Sequence, residues 1–200
     1  VASTANNATS GGGGRVVVAA ASGGTPMPQT LAVSDQAVVT TLVGNGSAGY
    51  ADGVGSVARL SSPMGLSLDG AGGLYVADYS NSVIRRVDLA SRNVTTVAGV
   101  AGSTGKTVGA TALLSTFNLP SGVEADGTGN VYVADTINHA IRMLSGAWVA
   151  GSTSGTSGSV NSAAGTSATF KNPCVVRADV AGGLLYVADT GNAYIRTVGI

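Results

Sequence analysis

The sequence predicts an all-β chain of repeated four-stranded modules arranged as a propeller. Three observations predict it. One residue pattern is written three times, with its leading prolines Pro63, Pro120 and Pro173 spaced 57 and then 53 residues apart. Each copy breaks into short runs rich in Val, Ile and Tyr, separated by glycine turns. No stretch sustains helical periodicity, so the copies are not βαβ units. Self-similarity at this period describes small modules that bury their faces against one another.

Within the first copy the strands follow in order. Met64 to Leu68 runs into Asp69-Gly-Ala-Gly-Gly, whose glycines supply the positive φ of a tight hairpin. Leu74 to Ala77, Val83 to Asp88 and Val94 to Ala98 supply the other three strands. Around them stand fixed polar residues, Asp78, Asn81 and Arg85, repeated as Asp135, Asn138 and Arg142 and as Asp189, Asn192 and Arg196. Tyr75, Tyr132 and Tyr186 fall in equivalent second strands. The third copy departs in three places: Val175 replaces Gly65 and Gly122, Cys174 precedes it, and one residue is added at Leu184-Leu185.

The stretch Pro120-Ser-Gly-Val-Glu-Ala-Asp126-Gly-Thr-Gly-Asn-Val-Tyr-Val-Ala-Asp135-Thr-Ile-Asn138-His-Ala-Ile141-Arg142 resembles the NHL-repeat β-propellers. The resemblance covers roughly residues 40 to 200 and implies four-stranded blades, with repeats near 63–98, 120–150 and 173–200 in a region spanning 44–200. Ahead of these, residues 15–43 read as a degenerate partial blade. Val39-Thr-Thr-Leu-Val-Gly44 parallels Val94-Thr-Thr-Val-Ala-Gly99 and is expected to be its outer strand. Residues 1–14, with four consecutive glycines, read as a flexible linker. Closed propellers have about four to eight blades, so the chain is expected to be incomplete by itself, part of a longer polypeptide or closed by another chain.

Ten Lys and Arg balance ten Asp and Glu, and only 10% of residues are charged where about a quarter is usual. Family members that bind RNA use a positive face, and this sequence has no basic field, so nucleic acid is not an expected partner. No apolar run approaches the ~18 residues of a membrane span. Three sequons, at Asn7, Asn45 and Asn93, and a surface of Ser, Thr, Asn and Gly suit an extracellular or cell-surface glycoprotein. The single Cys174 excludes an internal disulfide and reads as a small buried side chain.

The repeated Asp, Asn and Arg read as structure rather than catalysis, because catalytic groups need not recur in every blade. The expected roles are Asp accepting backbone N–H bonds in its own turn, Asn holding a tight φ, and Arg pairing with Asp or a neighbouring blade. The long connections 44–62, 99–119 and 151–172 emerge on the same face as these turns and are expected to be binding elements or partly disordered. Gly99-Val-Ala-Gly-Ser-Thr-Gly105-Lys106-Thr107 imitates a phosphate-binding loop, but Val100 stands where the motif requires glycine. There is no Gly-x-Ser-x-Gly. One histidine, His139, cannot build the His-rich zinc site of the amidating lyases that share this propeller type. Asp52 and Asn45 could offer oxygens to calcium, with solvated loop polarity as the plainer reading.

No cofactor is expected. The reading that results is a non-enzymatic interaction or assembly module, with protein partners or self-assembly through the propeller face and open blade edges. The alternative is a propeller hydrolase or lyase whose catalytic residues lie partly in blades outside this chain.

Overall fold

The computed structural model describes residues 37–200. Ahead of the first blade a two-residue strand, β1 (Gly53–Val54), forms within the connection 44–62. The first blade follows as β2 (Pro63–Leu68), β3 (Gly73–Asp78), β4 (Val83–Asp88) and β5 (Asn93–Ala98). The second is β6 (Pro120–Ala125), β7 (Val131–Asp135), β8 (Ala140–Met143) and β9 (Trp148–Ala150), and the third is β10 (Pro173–Asp179), β11 (Leu184–Asp189) and β12 (Tyr194–Gly199). Each blade is an antiparallel meander, and the helical elements among the described residues are three-residue 3-10 turns. The tyrosines are equivalent: Tyr75 pairs with Arg86, Tyr132 with Met143 and Tyr186 with Thr197 in matching registers.

Two expectations need correction or restriction. The linker over 1–14 lies outside the described residues, as does the partial blade over 15–43 up to residue 36. Among the described residues Val39 to Val43 forms no strand. Leu42 and Val43 nevertheless pack on the buried cluster of Ala58, Val76, Val87 and Val94. β1, which the sequence did not suggest, pairs outside β5 through Gly53↔Val94 and Val54↔Asn93 and makes the first sheet five-stranded.

Alternation decides the core. Ala77, Ile84 and Ala98 face the second blade and close on Phe117, Val123, Val131 and Val133. Tyr132, Ala134, Ile141 and Ala150 do the same against Phe170, Val176, Leu185 and Val187 of the third. Interdigitated apolar side chains make each interface a small core, and polar contacts such as Arg177–Glu124 and Ala125 N–H to Ser67 Oγ join the blades at its margins.

At the axis the first strands lie so close that a side chain would not fit. A Cβ on Gly65 would stand 2.8 Å from the Cα of Gly122, and one on Gly122 would stand 2.6 Å from the Cys174 carbonyl oxygen. Val175 occupies the third equivalent position, where no following strand approaches, and is 43% exposed. The glycine is therefore demanded by the neighbour rather than by the blade's own backbone. Gly122→Val should cost about 1–3 kcal/mol through overpacking and lower the thermal midpoint by several degrees in a circular dichroism melt. Val175→Gly should leave it nearly unchanged. Equal melts for the two variants would contradict the packing argument.

Candidate functional site

Each blade carries one buried carboxylate with an amide and a guanidinium that are buried or half-buried, and together they hold the long connection that precedes the blade. Asp78 ends β3, and its Oδ1 accepts the N–H of Ser61 at 2.7 Å. Its Oδ2 accepts from Asn81 Nδ2 and from Arg85 Nη1, both at 2.8 Å. Asn81 also donates to the carbonyl of Gly49, and Arg85 donates to the carbonyls of Arg59 (3.1 Å) and Ala51 (2.7 Å). Every one of these backbone partners lies in the connection 44–62.

The second blade repeats the arrangement. Asp135 accepts from Asn118 N, Asn138 Nδ2 and Arg142 Nη1, while Arg142 donates to the carbonyls of Thr116 (2.6 Å) and Thr107 (3.0 Å). In the third, Asp189 accepts from Lys171 N, Asn192 Nδ2 and Arg196 Nη1, and Arg196 reaches the carbonyls of Thr169 and Val160. Asp78, Asp135, Asp189, Arg85 and Arg142 are buried, the aspartates and these two arginines completely.

These contacts alter the roles read from the sequence. The aspartate caps the connection before its blade, not its own turn, where no side-chain cap bond forms. The tight φ belongs to the residue after the asparagine: Ser82, His139 and Ala193 sit at φ 56–57°. Asn81, Asn138 and Asn192 serve instead as two-way donors, each amide joining the aspartate to a loop carbonyl.

Aromatic rings complete the enclosure. Phe117 and Phe170 lie under Arg142 and Arg196, at 4.9 and 4.6 Å from ring centre to guanidinium carbon. Leu60 holds the equivalent place in the first blade, and there Tyr50 supplies the ring at 4.9 Å. Leu60, Phe117 and Phe170 each precede the blade's proline by three residues. That repeated spacing was the available sign that the connections are part of the repeat.

Asp52 belongs to this network as well. Its Oδ1 takes Arg85 Nη2 at 2.6 Å, and its Oδ2 takes the N–H of Thr96, so an arginine and a strand edge occupy the oxygens offered to calcium. Asn45 is turned to the N–H of Ser47. In the loop that imitates a phosphate cradle, the Gly105 N–H points inward to the Phe117 carbonyl, and Lys106 Nζ donates to the Ser154 carbonyl. His139 Nδ1 accepts the N–H of Asn172. Cys174 is half-buried rather than buried, with its Sγ directed at the Asn172 carbonyl.

Burial pushes the Asp135 carboxyl above its ordinary value, against the downward pull of Asn138, the Asn118 N–H and Arg142. Hydrogen bonds from Asn118, Asn138 and Arg142 hold this buried carboxyl in one geometry. At the axis, a cavity of about 490 Å³ is lined mainly by Met64, Leu66, Val123, Cys174 and Val175. The Ser121 hydroxyl beside it is engaged with Thr136 Oγ1 and the Cys174 carbonyl.

Antiparallel meanders packed face to face, with their first strands at an axis, define a β-propeller segment. The bovine protein named NHL repeat-containing protein 2 is 44% identical to this chain over 98 residues, covering 48% of this chain and 13% of its own length. Its human counterpart is 42% identical over the same span. The Arabidopsis thaliana protein SUPPRESSOR OF QUENCHING 1, chloroplastic, is 51% identical over 51 residues, which are 26% of this chain and 5% of that protein.

Among solved structures, an auxiliary nutrient binding protein of Bacteroides thetaiotaomicron matches with a TM-score of 0.58 at 20% identity, over 68% of this chain and 36% of its own. One from Bacteroides ovatus matches at 0.55 and 21%, over 64% and 35%. These structures share the fold. No family model matches the chain. The repeats are similar to those of NHL repeat-containing protein 2, of which the chain spans about an eighth of the length, and the blades are those of a β-propeller.

Removing one partner of a buried pair strands the other. Asp135→Ala should destabilise the chain by about 3–5 kcal/mol, beyond the roughly 0.5–2 kcal/mol of a lost cap. Limited proteolysis should then cut first within 99–119. A variant that melts like the parent, with that connection still protected, would show that the network does not hold the loop.

Proposed function

We propose that this propeller segment is a non-enzymatic interaction and assembly module that works outside the cell. One observation carries the reading. Ile195 is 75% exposed, whereas its counterparts Ile84 and Ile141 in the other blades are completely buried against a following blade. At the opposite end Leu66 is 53% exposed where Val123 and Val176 are buried. Apolar groups repeated from a core and left at a surface mark a place of association.

The polar groups support the same reading. The repeated aspartates and arginines are consumed by the connections they hold, and the axial cavity is lined mainly by apolar side chains. Zero net charge fits a protein partner better than a nucleic acid. Among the described residues no helix is long and apolar enough to cross a membrane. The extracellular assignment is supported by low charge and by the sequons. Asn45 stands exposed in its connection, while Asn93 is half-buried where β5 meets β1.

Sedimentation of the purified chain at micromolar concentration should reveal association, and Ile195→Asp or Leu66→Asp should weaken it at least tenfold without altering the circular dichroism spectrum. A well-folded monomer at that concentration would overturn the assembly role. Native material should also lose mass on glycosidase treatment, with Asn45 the modified position. An unmodified mass at Asn45 and Asn93 would remove the support for an extracellular location.

A further inference from the structure

Asn45, in the connection 44–62, is followed by Gly46, and this Asn-Gly pair occurs once in the sequence. Every other asparagine among the described residues is followed by a residue with a side chain. The repeated asparagines are also engaged, since Asn81, Asn138 and Asn192 each lend their amide to an aspartate and a loop carbonyl. Asn45 and Gly46 are both exposed, and a Cβ built on Gly46 would meet nothing within 4 Å. Among the described residues the Gly46 N–H has no acceptor, while the N–H of Ser47 donates to Asn45 Oδ1 at 3.0 Å.

These are the parts of an intramolecular acyl transfer. The Gly46 nitrogen and the Asn45 side-chain carbonyl carbon are one bond short of a five-membered ring, and no side chain crowds the approach. The Ser47 N–H already sits at the oxygen on which negative charge develops during attack. We infer that Asn45 is a self-modification site, converted through a cyclic imide to aspartate or isoaspartate with water as the only co-reactant.

The Gly46 nitrogen gives up its proton and bonds to Asn45 Cγ, the Cγ–Nδ2 bond breaks, and Nδ2 leaves as ammonia. Water then opens the imide. Addition at Cγ breaks its bond to the Gly46 nitrogen and leaves aspartate. Addition at the Asn45 backbone carbonyl leaves isoaspartate, with the main chain running through Cγ and longer by one methylene. Nothing is oxidised or reduced. Either product places a carboxylate in the wall of a cavity of about 520 Å³ that Asn45 and Gly46 share with Arg92, so the new charge has a guanidinium near it. Either product also destroys the sequon Asn45-Gly-Ser47, because an N-glycan needs the nitrogen that departs. Glycan and imide therefore compete for one atom.

The inference is independent of the assembly reading and meets the extracellular one only at this sequon. The chain made in a host without N-glycosylation, held folded in mildly alkaline heavy-oxygen water, should gain label at Asn45 in the tryptic peptide 16–59. Aspartate and isoaspartate forms should separate by chromatography. Modification should run at least as fast as in the same chain unfolded by guanidinium chloride. Gly46→Ala should slow it at least tenfold. Ser47→Ala, which ends the sequon and keeps the backbone N–H, should leave the rate within twofold. No label at Asn45, or label only in the unfolded chain, would overturn the inference whatever the native material carries. Label taken up at a glycan-bearing Asn45 would overturn the competition. Native protein with Asn45 bare and labelled would remove the glycosylation reading and leave this one standing.

Discussion

A guanidinium enclosed between carboxylate, ring and loop carbonyls at the base of each blade is the constraint on which the rest depends. Arg85, Arg142 and Arg196 each have an aspartate on one side, an aromatic ring on another and two loop carbonyls at the end of the fork. A planar fork with five fixed donors can join one carboxylate to two strands of backbone at once, which a lysine cannot do. Connections of about twenty residues would otherwise be costly to order. Here they are closed by groups that belong to the blade.

The closed connections matter because they sit between blades. Phe117 and Phe170 descend from them into the inter-blade cores and Leu60 onto the cluster of Ala58, Val76, Val87 and Val94, and 3-10 turns at Gly55–Val57, Ala112–Leu114 and Gly165–Ser167 fold each loop back on the segment that precedes it. The Gly44, Gly99 and Gly151 N–H groups donate to the carbonyls of Gly55, Ala112 and Gly165 in turn. Each loop therefore bridges the outer strand of one blade and the buried network of the next. The array gains cooperativity that four-stranded sheets packed only by side chains would lack.

The two ends of the array follow from the same geometry. A blade makes different surfaces toward its two neighbours, with Tyr and Ile on one side and branched aliphatics with a loop aromatic on the other. Among the described residues Ile195 on the third blade and Leu66 on the first stand exposed on these two unlike faces. Val175 stands for the axial glycine on β10, which meets no further first strand among the described residues.

By itself the sequence determined the blade. Alternation of period two, glycine turns and the tripled Pro, Tyr-Val-Ala-Asp, Asn and Ile-Arg pattern are local signals, and they located β2 to β5 to within a residue and the later blades by repetition. The burial of the polar residues was legible only as repetition. Their partners were not, since Asp78 meets Ser61 seventeen residues upstream and Arg85 meets Ala51 thirty-four upstream. Tertiary structure alone decided that the loops are folded, that β1 covers β5, and that Leu42 and Val43 pack without pairing. A hydrogen-bond donor in sequence names no acceptor, and which carbonyl it finds depends on how the blades bring distant backbone together.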